Sequence, residues 1–393
     1  MAASLSGKTS FLHLCSYCFF VFLSMQVEAI VPGLSSNRTR SLLQTLSTGN
    51  AIDDCRKSAV DWNSDRMHMA GCGIGFGSGA FGGANGNYYT VTDPSDDPLN
   101  PQPGTLRYAV IQEEPVWIVF QSDMTITLRN ELVVNSHKTL DGRGASVHIA
   151  HGACITIFRA SRVIIHGLNI HHCVTTEGGW VATKPGHLSH RGRADGDGIR
   201  VFESHHVWID HNSFWECHDG LVDVLHGSNF ITISNNHFHD HDKVMLLGHA
   251  DESELDHDMK ITVVYNRFGP RCVQRMPRCR FGYFHVANND YHAWEMYAIG
   301  GSAHPTIISQ GNRFLASDKR DAKEITKRVG HAGDWISIDD VFLNGAFFVE
   351  SGRGDLISRY TPEQQFEVKS GSQVTAMTAE AGVLKCQSSL ATC

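Results

Sequence analysis

Five segments, VWIDHNSF (207–214), ITISNNHF (231–238), ITVVYNRF (261–268), FHVANNDY (284–291) and IISQGNRF (307–314), superimpose without a gap. Each ends in an aromatic residue with an asparagine two places earlier: Asn212, Asn236, Asn266, Asn289 and Asn312. The aromatics follow one another at steps of 24, 30, 23 and 23 residues. Seven and five places before each aromatic stand apolar pairs, Val207 with Ile209, Ile231 with Ile233, Ile261 with Val263 and Phe284 with Val286, and the weaker Ile307 with Ser309. Period-two alternation puts each pair on one strand face. A repeat near 23 residues with β runs and a fixed turn asparagine is satisfied by an all-β parallel β-helix, in which coils stack and like residues form columns. A β-sandwich would not lock asparagine and aromatic positions in register, and the leucine framework of a leucine-rich repeat is missing.

Upstream, VWIVF (116–120), MTITL (124–128) and VIIHGLNI (163–170) continue the short β runs. A short helix is expected over Ala59–Met69, and the glycine string that follows reads as tight turns, since no GK[ST] frames it as a phosphate loop. After Phe314 the repeat fades; 318–328 is expected as a loop or short helix, and 340–393 as a tail packed along the outside.

At the N-terminus, Lys8 precedes the apolar run Phe11–Leu23, and Val27-Glu28-Ala29 offers small residues for cleavage, so residues 1–29 read as a secretion signal too short to span a bilayer. Residues 30–50 read as a flexible leader, carrying the glycosylation sequon at Asn37, and 51–393 as a single domain. A secreted, extracellular monomer follows, with no membrane attachment once the signal is gone. The net charge of −8 argues against a nucleic-acid partner. Secretion permits disulfides, and three pairs lie close in sequence: Cys55 with Cys72, Cys154 with Cys173, Cys386 with Cys393. Among Cys217, Cys272 and Cys279 at least one thiol stays free, because the mature count is odd.

The chemistry concentrates between Asp195 and Arg280. Asp197 and Asp219 differ by 22 residues and Asp219 and Lys243 by 24, close to one coil each, so the three share an exterior column. Asp195 and Asp197, two apart, are expected on one strand face, with Asp223 near them on the next coil. Clustered carboxylate oxygens suit Ca²⁺, which accepts six to eight oxygen ligands in irregular geometry. A straight strand would hold Asp219 about 13 Å from Asp223, so a bend or a second ion is required. Arg271, Arg275, Arg278 and Arg280 follow within ten residues and would form, with Lys243, the basic wall of a cleft for a polyanion. For Asp210 a hydrogen-bonded turn or solvation is expected. The 24 histidines, HFHDHD (237–242) included, show no zinc spacing.

VWIDH (207–211), DGLVDV (219–224), KVMLLGH (243–249), QRMPRCR (274–280) and YAIGGSAHPTI (297–307) resemble the plant pectate lyases of polysaccharide lyase family 1, the branch that includes the ragweed and cedar pollen allergens. The resemblance runs from about Ile52 to the terminal cysteine. It implies a right-handed, single-stranded parallel β-helix and Ca²⁺-dependent β-elimination of de-esterified homogalacturonan in the cell wall. By motif, Asp197, Asp219 and Asp223 correspond to calcium ligands with Asp195 accessory, Arg275 to the base, and Lys243 and Arg280 to substrate-binding cations. The chain departs from plant relatives at Cys55-Arg56, where Cys-Trp is common, and around Asp334–Asp340, where a Trp-rich run is usual. A polygalacturonase would show paired acids without the Arg275 and Arg280 pair, and a pectin lyase would lack the calcium carboxylates. The alternative is a pectate-binding wall or allergen-type protein with little or no activity.

Overall fold

The computed structural model describes residues 47–330, 333–352 and 359–393. The expected signal, most of the leader and Asn37 lie outside these residues. The described unit begins at Ser47, four residues before the expected start of the domain.

Three parallel sheets of ten, nine and eight strands run along the molecule, each strand pairing with its counterpart one coil away. The segments superimposed above lie in register. Val207, Ile231, Ile261, Phe284 and Ile307 form one inward column of the ten-stranded sheet, and Ile209, Ile233, Val263, Val286 and Ser309 a second. All ten are fully buried. Burying ten such side chains, each contributing about 1.5–3 kcal/mol when apolar, makes the bore the main source of stability.

The corner after these strands is closed by a continuous ladder. Asn212, Asn236, Asn266, Asn289 and Asn312 each accept, through the side-chain oxygen, the backbone N–H of the residue one coil earlier, at 2.8–2.9 Å. The ladder begins on the N–H of Leu168. The residue before each asparagine is left-handed, with φ of 52° at His211, 53° at Asn235, 58° at Tyr265, 49° at Asn288 and 60° at Gly311. Left-handed backbone is costly for a tyrosine, and the ladder bonds offset that cost. Beyond the corner the aromatics stack: Phe214, Phe238, Phe268, Tyr291 and Phe314 have successive ring centroids 5.0, 5.1, 4.8 and 4.5 Å apart.

The repeat does not end at Phe314. Trp335–Ile338 and Val341–Leu343 add a further coil, with Phe342 in register with Phe314. Asp340 stands where the asparagine would be and takes the N–H of Asn312 at 2.7 Å. The aspartate hid this coil from a pattern built on asparagine. The segment 318–328 is not helical; it ends in the strand Thr326–Arg328, paired with Ile299–Gly301.

Ala59–Met69 is also not the expected helix. The helix is Ala51–Arg56, capped by the Asn50 side chain on the N–H of Asp53, and a 3₁₀ segment Arg66–Cys72 follows. Between them Asp61 draws the N–H of Asn63 and the hydroxyl of Ser64 into a turn, the usual competition of short polar side chains with helix. Arg56 is buried and reaches Asp53 at 2.9 Å and Glu380 at 3.6 Å. Arg56 is therefore held in an ion network that ties the helix to Glu380. The C-terminal segment lies along the outside, with Phe366, Val368, Val374 and Met377 packed beside Trp208 and Tyr265. Cys55–Cys72, Cys154–Cys173 and Cys386–Cys393 are joined, and Cys217, Cys272 and Cys279 are free thiols. Among the described residues no helix is long and apolar enough to cross a membrane.

Candidate functional site

The eight-stranded sheet carries Arg200, Asp223, Arg278 and Arg280 on its outer face, and the turns and the short two-stranded sheet beside it carry the other charged groups. In strand Val222–Leu225, Val222 and Val224 point into the bore and Asp223 points out, in register with Arg200, Leu246 and then Arg278 on neighbouring coils. Asp195 and Asp197 do not share a strand face. They lie in the loop ahead of strand Ile199–Phe202, separated by Gly196 at φ +96°. That left-handed glycine turns the loop so that Asp197 faces the next coil, where its Oδ1 accepts the N–H of Gly220 at 2.9 Å, while Asp195 stays exposed. Gly220 has no room for a side chain: a Cβ there would lie 2.2 Å from Asp223 Oδ1 and 3.3 Å from Asp197 Oδ1.

Asp219 sits in the turn before that glycine, and this turn supplies the bend between Asp219 and Asp223 that the sequence required. Its Oδ1 accepts Lys243 Nζ at 2.6 Å, and its carbonyl accepts the ring N–H of His241 at 2.5 Å. The Asp219–Lys243 column is thus a direct contact. Asp223 is 7 % exposed, and its Oδ1 is buried with no hydrogen-bond partner among the described residues. Burial first, then Asp197 and Asp219, pushes the Asp223 carboxyl well above its usual range, against the pull of Arg275 and Arg200. Burial and then Asp219 raise Asp197 to about 7. Two carboxyls forced toward their neutral forms by a third acid and by desolvation mark a cluster short of positive charge.

The donors are hard oxygens with no sulfur or imidazole among them, and Asp223 Oδ1 is an orphaned acceptor aimed into the cluster. This set fits a divalent hard cation. The carboxylate oxygens do not converge tightly, and the reason is visible: Asp219 is drawn to Lys243. Among the described residues the one group of three His, Cys, Asp or Glu with ligand atoms within 4.8 Å of one another is Cys55, His68 and Cys72. Its two sulfurs are spent in a disulfide, so it holds no metal.

The basic wall is more divided than its spacing suggests. Arg275 occupies a left-handed turn at φ 63°, ahead of the cis Met276–Pro277 bond, and its carbonyl accepts the N–H of Met245 at 2.7 Å. Its Nε is buried with no hydrogen-bond partner among the described residues, as is that of Arg278. Arg280 donates to Asp251 Oδ1 at 2.8 Å and to the carbonyls of Gly248 and His249 at 3.0 and 3.1 Å. Arg271 does not belong to the wall. It is exposed and pairs with Asp240, itself bonded to His239 at 2.6 Å. Asp210 is no ligand either: it is fully buried and binds His166, Ser234 and Asn235 at 2.9, 2.6 and 3.0 Å. Sequence reading missed Arg200, Glu131 and Asp251. Arg200 stands one coil from Asp223, a neighbour that a search confined to Asp and to the late arginines did not consider.

An outward cluster of carboxylates thus lies beside arginines on one side of a parallel β-helix. Residues 123–336 match the family model described as pectate lyase. The chain is 55 % identical over 361 residues to Probable pectate lyase 20 of Arabidopsis thaliana, covering 90 % of this chain and 86 % of that one. It is 54 % identical over 362 residues to a pectate lyase of Zinnia elegans, covering 90 % of each. The solved structure of jun a 1, the major allergen from cedar pollen, aligns with a TM-score of 0.84 at 46 % identity, covering 86 % of this chain and all of that one. The chain belongs to the pectate lyase family.

Proposed function

We propose that the protein is a secreted, active pectate lyase that cleaves de-esterified (1→4)-α-D-galacturonan by β-elimination, leaving an unsaturated sugar at one new end. Family membership supports the reaction class. The observation that carries the site is the orphaned, buried Asp223 Oδ1 between Asp197 and Asp219. Asp197, Asp219 and Asp223 would hold Ca²⁺, with Asp195 accessory. When bound, the ion neutralises these acids and a substrate carboxylate beside them, which acidifies the adjacent C5–H.

The chain's own groups do the rest. Lys243 and Arg280 bind the polymer's carboxylates, for which Lys243 exchanges Asp219 and Arg280 exchanges Asp251. Arg275 takes the C5 proton. A guanidinium ordinarily titrates far above neutral pH, so having one as a base near pH 8 costs about 7 kcal/mol unless neighbouring cations reduce it. Rate therefore rises toward alkaline pH, and a maximum near pH 5 would remove Arg275 from this role. Cleavage at high pH also matches ionised substrate.

The direct experiment incubates the secreted protein with polygalacturonate and Ca²⁺, then with a chelator, and follows ultraviolet absorbance of the unsaturated product. Chelator-sensitive growth of absorbance is expected. Bound polymer without absorbance would replace the enzyme with a pectate-binding protein. Arg275→Ala should abolish cleavage and keep Ca²⁺-dependent binding; surviving cleavage would refute the assignment of the base.

A further inference from the structure

The coil that carries Asp195 and Asp197 also carries a cation without a dedicated partner. Arg200 is the register neighbour of Asp223 and points outward from its strand, since Ile199 and Val201 fill the bore. Its side chain is 23 % exposed, and its guanidinium lies 5.0 Å from the ring centre of Phe202. One nitrogen comes within 4.0 Å of Glu131. Glu131, however, is already bound by Arg191 at 2.8 Å and Thr156 at 2.9 Å. Arg200 Nε is buried with no hydrogen-bond partner among the described residues. Arg200 shares a narrow cavity with Glu131, Thr156, Asp195 and Asp197. Its positive charge acts on both Asp197 and Asp223.

We infer that Arg200 is a built-in counter-cation of the acid cluster, a positioning residue that offsets part of the negative charge of Asp197 and Asp223 before any metal arrives and thereby weakens Ca²⁺ binding. This inference rests on the calcium reading above. Arg200 cannot leave when the ion enters, because Phe202 and the strand hold it beside the cluster. A fixed positive charge beside a divalent ion at low effective dielectric reduces affinity roughly tenfold or more. It places the chain among weak, extracellular-type calcium sites, with dissociation constants on the order of 10⁻⁴–10⁻³ M. Lys243 is different. It is partly exposed and paired with Asp219 at 2.6 Å, whereas Arg200 is a permanent charge held by its strand.

The test is calorimetric titration of the full secreted chain with Ca²⁺ alone, comparing wild type with Arg200→Gln and Arg200→Lys, each checked for folding by its thermal midpoint. Arg200→Gln should tighten Ca²⁺ binding roughly tenfold or more, and Arg200→Lys should stay within about threefold of wild type. A merely structural role gives the opposite sign, because damage to the site loosens the ion. Wild-type binding with unchanged or weaker binding by Arg200→Gln overturns the role of Arg200 and leaves the calcium centre standing. No calcium heat and no calcium-dependent rise in midpoint for any of the three proteins overturns the calcium reading itself, and this inference with it.

Discussion

Two corners of the same coils are built on opposite terms. At the asparagine corner every side chain of the ladder is spent: Asn266 accepts from Asn236 through both backbone and side chain, at 2.9 and 3.0 Å, and donates to Ile233, Val264 and Asn289 at 2.8, 3.1 and 3.0 Å. On the eight-stranded face, Asp223 Oδ1 and the Nε atoms of Arg200, Arg275 and Arg278 are buried without a partner among the described residues. Buried polar groups are almost always paired, and four of the nine side-chain atoms that are buried without a partner among the described residues lie on this face. The ladder makes the coil spacing rigid. The outer face uses that rigidity to hold like charges together, at a cost, until a ligand completes them.

The largest test of this contrast is Asp223→Asn. Activity on polygalacturonate should fall by about a thousandfold or more, the scale expected when a group essential to transition-state charge stabilisation is removed. In calcium-free buffer the same variant should be no less stable than wild type, because it removes a buried charge that lacks a partner. A stability loss with activity retained would reverse the two corners' roles. Asn266→Ala probes the other side. It leaves several buried backbone and side-chain groups unpaired and should cost about 3–5 kcal/mol in urea unfolding, with turnover per folded molecule unchanged.

Acid sensitivity should belong to the scaffold and not to the groove. His285 is buried against Tyr360 and Gln310, at 2.8 and 3.1 Å, and burial lowers it to about 4. Above pH 6.5 both folded and unfolded forms are neutral, so nothing is lost. As pH falls from 6.5 toward 4 the unfolded chain takes up a proton that the folded one refuses, and stability declines by about 3 kcal/mol for this group. His166, equally buried and also lowered to about 4, adds a decline of the same sign. Urea midpoints of His285→Gln between pH 7 and 4 should therefore show a shallower fall than wild type; an unchanged slope would acquit the histidine. The smallest effect is expected at Arg271→Ala. Arg271 is itself exposed and its pairing with Asp240 is screened by solvent, so stability should change by less than about 0.5 kcal/mol and cleavage not at all. A large loss of activity would return Arg271 to the basic wall.

How much could be read in advance depended on whether the signal was periodic. The asparagine and aromatic columns were legible because every coil repeats the same local problem, a left-handed turn with an N–H to satisfy. The last coil was missed because Asp340 does the same work with a different residue. The pairing of Asp219 with Lys243 was legible from a coil's spacing, and the loop position of Asp195 and Asp197 was not, since Gly196 breaks the alternation that two-residue spacing implies. Arg271 looked like its neighbours in sequence, yet lies where the chain turns toward Asp240.

By itself the sequence determined the stacked-coil architecture, the three staples and the residue types of the groove, because these follow from period, cysteine spacing and motif, all of which are local or regularly repeated. Beyond the Asp219–Lys243 pair, only the tertiary structure decided which charges meet. Arg200 lies beside Asp223 across 23 residues, Arg280 is tied to Asp251 across 29, and Arg56 reaches Glu380 at the far end of the chain. Electrostatic partnership depends on distance and burial in three dimensions, and neither quantity is carried by the order of residues alone.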